Sequence, residues 1–307
     1  MKVIVIVGPT AVGKTDISIE LAKKLDGEII NLDSVQIYKK LNIGSAKPSP
    51  EELDEIPHHL IDCIEPKENF TVSDYKKLAE HKIEEISKKG KVPILVGGTG
   101  LYLNSLYYEM DFNQTSQDLE YRKELESLSR SEGKEAVYEL LRKIDPNSAD
   151  LIHPNNLKRV IRALEINKIS GHNKKDYKSN LKLNDNYEFI LIGLNMNRRK
   201  LYARINKRVD LMIENGLIEE VINLKSIGLN DSFNSMKGIG YREVLTYLNN
   251  FYDYETMIKL IKQNSRHYAK RQLTWFKQYD SMKWFDLDYY SNKESAIRDI
   301  ESYINGL

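Results

Sequence analysis

Short apolar runs alternate with helical patterns over the first third of the chain. Runs rich in Val, Ile and Leu occupy 2–7, 28–32, 59–64 and 92–96, and apolar positions recur at helical spacing over 16–25 and 72–88. Near-continuous apolar strands separated by crossover helices predict a parallel sheet covered on both faces, an α/β core. A further strand is expected at 188–194. Between Gly100 and that strand the chain is polar, rich in helix formers and nearly free of β-branched runs. This predicts a helical insertion domain over 112–187, set into a core made of 1–111 and 188–307. Helices are expected to complete the core at 200–215, 218–226, 240–248 and 254–279. The Lys- and Asn-rich stretch 173–186 predicts a mobile connection.

Directly after the first strand come Gly8, Pro9, Thr10, Ala11, Val12, Gly13, Lys14 and Thr15, a match to G-x-x-x-x-G-K-[ST]. A loop of this kind, placed where a buried strand turns into a helix, aims backbone amides and the positive end of the helix at anionic oxygens. Lys14 supplies an ammonium, and Thr15 supplies the hydroxyl suited to Mg²⁺. A chance match in an ordinary turn is the bland explanation, and the order strand, loop, helix argues against it. The motif specifies a phosphate chain, nucleotide or diphosphate, and leaves the reaction open.

Asp33 and Ser34 end the second strand, and the carboxyl ends of strands in an open parallel sheet share one crevice with the phosphate loop. Alone, Asp33 would be read as a helix cap or turn residue; beside the loop it becomes a functional candidate. Gly97, Gly98, Thr99 and Gly100 end another strand at the same rim, and Thr99 is the functional candidate there, the glycines being equally explained by a tight turn. A phosphate-loop ATPase usually ends a neighbouring strand in an acid that holds Mg²⁺ through water. The 92–96 strand ends in glycines instead. Asp33 or Asp62 could substitute, but a different use of the loop is suggested, to hold a diphosphate leaving group.

The chain of 307 residues carries 46 basic and 45 acidic residues, formally +1. That balance decides nothing about a polyanionic partner, but its distribution does. The segment 153–182 has Lys158, Arg159, Arg162, Lys168, Lys174, Lys175, Lys178 and Lys182 against Glu165 and Asp176, while 198–208 and 256–279 hold no acid at all. In the last of these, Lys259, Lys262, Arg266, Lys270 and Lys277 fall on one helical stripe beside Tyr268, Trp275 and Phe276. One such stripe is usually a solvated face. Three acid-free or acid-poor segments in a neutral chain point to a nucleic acid, and aromatics beside arginine suit unpaired bases. Cys63 is the single cysteine, which excludes a Cys2His2 zinc finger within the chain. With no leader before the first strand and no apolar run near the ~20 residues that span a bilayer, the expectation is a cytoplasmic protein without membrane attachment. A small-molecule kinase using ATP is the alternative from another class. It would use the loop and Asp33 but not the three basic segments.

In nine blocks along nearly its whole length the chain resembles the bacterial-type tRNA dimethylallyltransferases, or isopentenyl-diphosphate:tRNA transferases. The blocks are GPTAVGKT at Gly8, DSVQIY at Asp33, GSAKP at Gly44, HHLID at His58, VGGTGLYL at Val96 and HPNNLKRVIRALE at His153. They continue with Arg204, Ile205, Arg208, Val209, Asp210 and Met212, then KGIGYRE at Lys237 and YAKRQLTWF at Tyr268. The resemblance implies a phosphate-loop α/β fold and the transfer of a dimethylallyl group from dimethylallyl diphosphate to N6 of the adenosine 3′ of the anticodon. It implies Asp33 as the base, Thr99 beside the amine, Arg208 on the leaving diphosphate and Mg²⁺ at Thr15. The anticodon stem-loop would then be met by Asp33, Ser34, Val35, Gln36 and Thr99, and by Arg122, Lys158, Arg159, Val160, Ile161 and Arg162. Lys237, Gly238, Ile239, Gly240, Tyr241 and Arg242 would meet it as well, with Lys270, Arg271, Gln272, Trp275 and Lys277. A monomer is expected. The chain departs from the family pattern at Ser45, where threonine is common, and at Lys158 and Lys277, where arginine is common; a lysine neutralises a phosphate without the guanidinium's two-point contact. Ahead of Arg122 it reads Thr115, Ser116, Gln117 and Asp118 where the family often has Ala-Asp-Pro.

Overall fold

Val3, Ile4, Val5, Ile6 and Val7 are all fully buried, because β1 (Lys2–Val7) runs through the middle of a sheet with helices on both faces. The computed structural model describes residues 1–110, 118–170 and 182–307. The expected 173–186 connection therefore lies mostly outside the described residues, as do Lys174, Lys175, Lys178, Thr115, Ser116 and Gln117.

Along the chain, β1 is followed by α1 (Lys14–Lys24), β2 (Gly27–Leu32), α2 (Pro50–Glu55), β3 (His58–His59), α3 (Val72–Lys88), β4 (Val92–Gly97) and α4 (Gly100–Tyr107). Four helices come next, α5 (Leu119–Glu132), α6 (Lys134–Ile144), α7 (Pro146–Leu151) and α8 (Leu157–Ser170). Then come β5 (Glu188–Asn195), α9 (Arg198–Glu214), α10 (Leu217–Ser226), α11 (Tyr241–Leu248), α12 (Tyr254–Phe276), β6 (Lys283–Asp286) and α13 (Lys293–Asn305). The six strands form one parallel sheet in the order β3-β2-β4-β1-β5-β6.

Two compact units divide the chain, one of 1–107 with 184–307 and one of 108–183. The boundaries fall four residues before the expected points (108 against 112, 183 against 187). The reason is local pairing: Tyr108 bridges Leu183, and Asn184 returns hydrogen bonds to Tyr107 O and Leu106 O at 3.0 Å each. In the smaller unit Leu125, Val137, Leu141, Val160 and Leu164 form a core between α5, α6 and α8. In the larger unit α1 lays Ile17, Leu21 and Ala22 on the sheet, with Asp16 in its first turn and Lys23 and Lys24 in its last, the charge order that suits the helix dipole.

Three features differ from the pattern-based expectation. The strand expected at 59–64 is reduced to His58–His59, because Leu60 and Asp62 adopt positive φ of 62° and 52° and turn the chain off the sheet edge. The edge strand β6 and helix α13 were not anticipated; four residues, Lys283–Asp286, are too few to show a period. The expected stripe on α12 does not face solvent as a row, since Lys262 pairs with Asp210 at 2.6 Å and Arg266 bonds Asn206 at 2.7 Å, both on α9.

The ends of β2 and β4 meet closely. Gly98 N and Thr99 N both donate to Leu32 O, at 3.1 and 3.0 Å, and a Cβ on Gly97 would lie 2.2 Å from that same oxygen. Gly97→Ala must therefore separate two backbones, and it is expected to lose about 1–3 kcal/mol or more of stability in urea denaturation. An unchanged midpoint would show that the strand ends separate freely.

Candidate active site

The loop after β1 turns through Ala11, at φ 65°, and Gly13, at φ 108°, before α1 begins. Gly13 occupies the cap position with no side-chain cap, so the first amides of α1 point outward without a protein side chain to satisfy them, the arrangement that accepts an anion. Val12 is buried in the core and offers only backbone. The Lys14 ammonium donates to Gly8 O and Pro9 O at 3.1 and 3.0 Å, folded against its own loop. Burial, and secondarily the Arg208 guanidinium, lower its pKa from 10.5 to about 7, while Asp33 opposes the shift. Thr10 N donates to Gln272 Oε1 at 2.8 Å, and Gln272 Nε2 donates to Gly98 O at 3.0 Å, so one buried amide on α12 ties the loop after β1 to the turn after β4.

Asp33 follows β2 directly. Its Oδ1 accepts from Val35 N at 2.8 Å and Gln36 N at 3.3 Å, which aims the carboxylate and leaves Oδ2 without a hydrogen-bond donor among the described residues. Thr99 Oγ1, at the neighbouring strand end, accepts from Ser34 N at 3.1 Å. Tyr268, on α12, sits against this pair. Burial first and the Asp33 charge second push its phenol well above the usual range, opposed by hydrogen bonds with Thr99 and Gln272.

Two cavities open on these residues. One, of about 200 Å³, is lined by Gly13, Lys14, Thr15, Arg204 and Arg208 and reaches Asp33. The other, of about 610 Å³, is lined by Val35, Tyr38, Phe70, Lys237, Gly238, Ile239, Arg242 and Arg271 and also reaches Asp33. Thr10, Asp33, Ser45, Arg208 and Tyr268 line both. Arg204 and Arg208 are one helical turn apart on α9 and so share a face. Burial, then Arg204, lower the Arg208 pKa, a pair of like charges waiting for an anion.

Sequence reasoning missed Tyr268 as a site residue and assigned Arg204 no role. The i,i+4 spacing of Arg204 and Arg208 in an acid-free segment was the available signal for the second; the first was marked only as an aromatic beside a basic stripe, which does not point to Asp33. Asp62, weighed as a metal acid, lines neither cavity and is paired with Lys47. For Mg²⁺, the Thr15 hydroxyl and the carboxylates of Asp16, Asp33 and Glu52 line the loop-side cavity, yet no cluster of three His, Cys, Asp or Glu among the described residues could cage an ion. That donor set fits an ion held jointly by protein and phosphate.

Several residues expected on the RNA are placed differently. Val160 and Ile161 are core residues of the smaller unit, at 0 and 3% exposure, because α8 is amphipathic and these two point inward. Lys158 and Arg159 on the same helix are exposed. Arg122 is held bidentately by the fully buried Glu165, at 3.0 and 2.7 Å, and Arg162 reaches the same carboxylate at 3.4 Å. Tyr241 is completely buried, and Gln272 is spent on the two backbone bonds above. Trp275 lies over Gly100 with its indole nitrogen buried and without a hydrogen-bond partner among the described residues. Lys270, Arg271 and Lys277 are exposed.

The IPP transferase family model matches residues 36–279. The tRNA dimethylallyltransferase of Alkaliphilus metalliredigens is 50% identical over 307 residues, covering 99% of this chain and 98% of that one. The chain belongs to the IPP transferase family. Another relative, the tRNA dimethylallyltransferase of Clostridioides difficile, is 50% identical over 98% of this chain and 96% of its own. Among solved IPP transferase structures, the tRNA isopentenylpyrophosphate transferase of Bacillus halodurans is 46% identical with a TM-score of 0.75, covering 99% of this chain and 96% of that one. A eukaryotic dimethylallyltransferase acting on tRNA is 30% identical with a TM-score of 0.82, covering 99% and 80%. The parallel sheet with a phosphate loop between β1 and α1 is thus the fold of this family.

A lysine lowered to about 7 is neutral over much of the range in which other lysines are charged. After reductive methylation with ¹³C, the resonance absent from Lys14→Arg is expected to titrate near pH 7, several units below surface lysines. An anion in the loop would favour the ammonium and move that midpoint up. Titration of this signal with the bulk lysines would contradict the buried-ammonium geometry.

Proposed function

We infer that this IPP transferase moves a dimethylallyl group from dimethylallyl diphosphate to N6 of the adenosine 3′-adjacent to the anticodon of a tRNA. It is a prenyltransferase of tRNA modification. Asp33 stands where a phosphate-binding cavity meets a larger cavity rimmed by Lys237, Arg242 and Arg271, and that junction carries the proposal.

In the reaction the N6 lone pair attacks C1 of the allyl group as the C1–O bond breaks, the bonding pair leaving with diphosphate. An adenine amine is a weak nucleophile because its lone pair is delocalised into the ring. Asp33 Oδ2 takes the N6 proton as the C–N bond forms, with Oδ1 pinned by two amides so that the accepting oxygen is presented. Thr99 orients the amine. Lys14, Arg208, Arg204 and the amides at the start of α1 stabilise the charge that grows on the leaving diphosphate. Thr15 with the diphosphate would hold Mg²⁺, which when bound neutralises charge on the leaving group. The larger cavity, with Tyr38, Phe70, Tyr102 and Tyr268 along it, suits an unstacked base drawn out of the anticodon loop. Its basic rim suits the phosphates of the stem-loop, and within the helical unit the exposed Lys158 and Arg159 offer charges of the same kind. No helix among the described residues is long and apolar enough to cross a membrane, and action on tRNA fits a cytoplasmic protein.

Purified protein incubated with Mg²⁺, dimethylallyl diphosphate and unmodified tRNA should yield, after nuclease digestion, adenosine heavier by one five-carbon group. Asp33→Ala should abolish this product while tRNA affinity stays within a few-fold; retained turnover would remove the base role from Asp33. Affinity for tRNA should fall steeply and log-linearly with salt as counterions are released. A flat response would leave the basic rim as solvated surface only.

A further inference from the structure

Glu220 is an acid with no place in the chemistry above, yet its carboxylate is fully used. Oε2 accepts from Asn42 N at 2.9 Å and Ile43 N at 2.8 Å, and Oε1 accepts from Gly44 N at 3.2 Å. Oε1 also accepts from the Tyr241 hydroxyl at 2.8 Å, and that hydroxyl in turn accepts from Ser45 N at 3.1 Å. Four successive amides of one turn are therefore held by a carboxylate on α10 and a buried phenol at the start of α11. The fit leaves no slack, since the Tyr241 ring lies against Gly44 so closely that a Cβ there would come within 2.6 Å of it.

From this turn a continuous line leads to the base. Ser45 O and Ala46 O accept from Gln36 Nε2 at 3.1 and 3.0 Å, and Gln36 N donates to Asp33 Oδ1 at 3.3 Å. In the other direction Tyr241 belongs to the 237–242 segment that walls the larger cavity. That segment is itself braced: Glu243 accepts from Gly240 N at 2.8 Å and from Arg242 and Asn264 side chains at 2.6 and 2.8 Å. Asn42 is exposed and Ile43, Gly44 and Ser45 are half-buried, but all four amides would lose their partners together, so the turn follows whatever moves Glu220 and Tyr241.

We propose that Tyr241 and Glu220 are positioning residues for the transfer: through the 42–46 turn and Gln36 they couple the RNA-side segment 237–242 to the orientation of the Asp33 carboxylate. The proposal rests on Asp33 acting as the base. Its consequence is that the pair governs the rate of the step and not the affinity for either substrate, although neither residue touches the reacting atoms.

Tyr241→Phe keeps the ring against Gly44 and removes only the hydroxyl. In steady-state transfer it should lower kcat about tenfold, with KM for dimethylallyl diphosphate within twofold and tRNA affinity within threefold of wild type. Gln36→Leu breaks the same line at another point. If both act through Asp33, the double variant should be barely slower than the slower single variant, whereas independent effects would multiply. Should the phenylalanine variant unfold, Glu220→Gln, which keeps one acceptor oxygen toward the turn, must give the same split between kcat and KM. An unchanged kcat, a loss confined to tRNA affinity, or multiplicative penalties would each overturn the coupling. A wild-type protein that adds no five-carbon group to tRNA overturns the reaction and the coupling together; a wild type that transfers beside a Tyr241→Phe that matches it overturns the coupling alone.

Discussion

Everything at the site depends on how closely the carboxyl ends of β1, β2 and β4 are drawn together. Backbone amides after β4 donate to the last carbonyl of β2, and the buried Gln272 amide joins the loop after β1 to the turn after β4. A primary amide is suited to this task because it offers a donor and an acceptor a short, fixed distance apart; here the donor meets a buried carbonyl, Gly98 O, and the acceptor meets the half-buried Thr10 N. The phosphate loop, Asp33 and Thr99 sit on those three strand ends and share their rigidity. A side chain between β2 and β4, or an apolar residue in place of Gln272, would loosen all three at once.

On that frame the two ends of the proposed displacement face different surroundings. One side is cationic, with helix amides, Lys14 and two arginines a helical turn apart, and it keeps Lys14 close to losing its proton. The other is aromatic, with a basic rim. Asp33 stands between them with one oxygen held by its own turn. Asp33 also lines the cationic cavity, and its charge acts against the lowering of the Lys14 pKa, so the carboxylate and the loop ammonium share one electrostatic environment.

Much of the larger unit was legible in the chain. A Val and Ile run before a glycine-rich loop can only be a buried strand opening on a helix, and Asp33 and Thr99 could be placed at the same rim because parallel strands expose their carboxyl ends together. The helical character of the inserted stretch followed from its lack of β-branched runs. What escaped was set by contacts distant in sequence. The stripe on α12 was read as one face, but Lys262 and Arg266 find Asp210 and Asn206 on α9, residues about fifty to sixty positions earlier. Val160 and Ile161 carried a binding expectation as part of a motif, yet α8 turns both into its own core.

The chain by itself determined its chemistry class and its frame: a phosphate loop, an acid and a hydroxyl at strand ends, basic segments for a polyanion. These follow from local order, from spacing and from the geometry common to every parallel sheet. Only the tertiary structure decided which of the many polar residues converge. It brought Tyr268 beside Asp33, paired Arg204 with Arg208 over the loop, withdrew Asp62 to Lys47, and turned Gln272, Glu220 and Tyr241 into internal supports. A buried polar side chain is defined by the partner that satisfies it, and for these residues nearly every partner lies on another element, which no local pattern encodes.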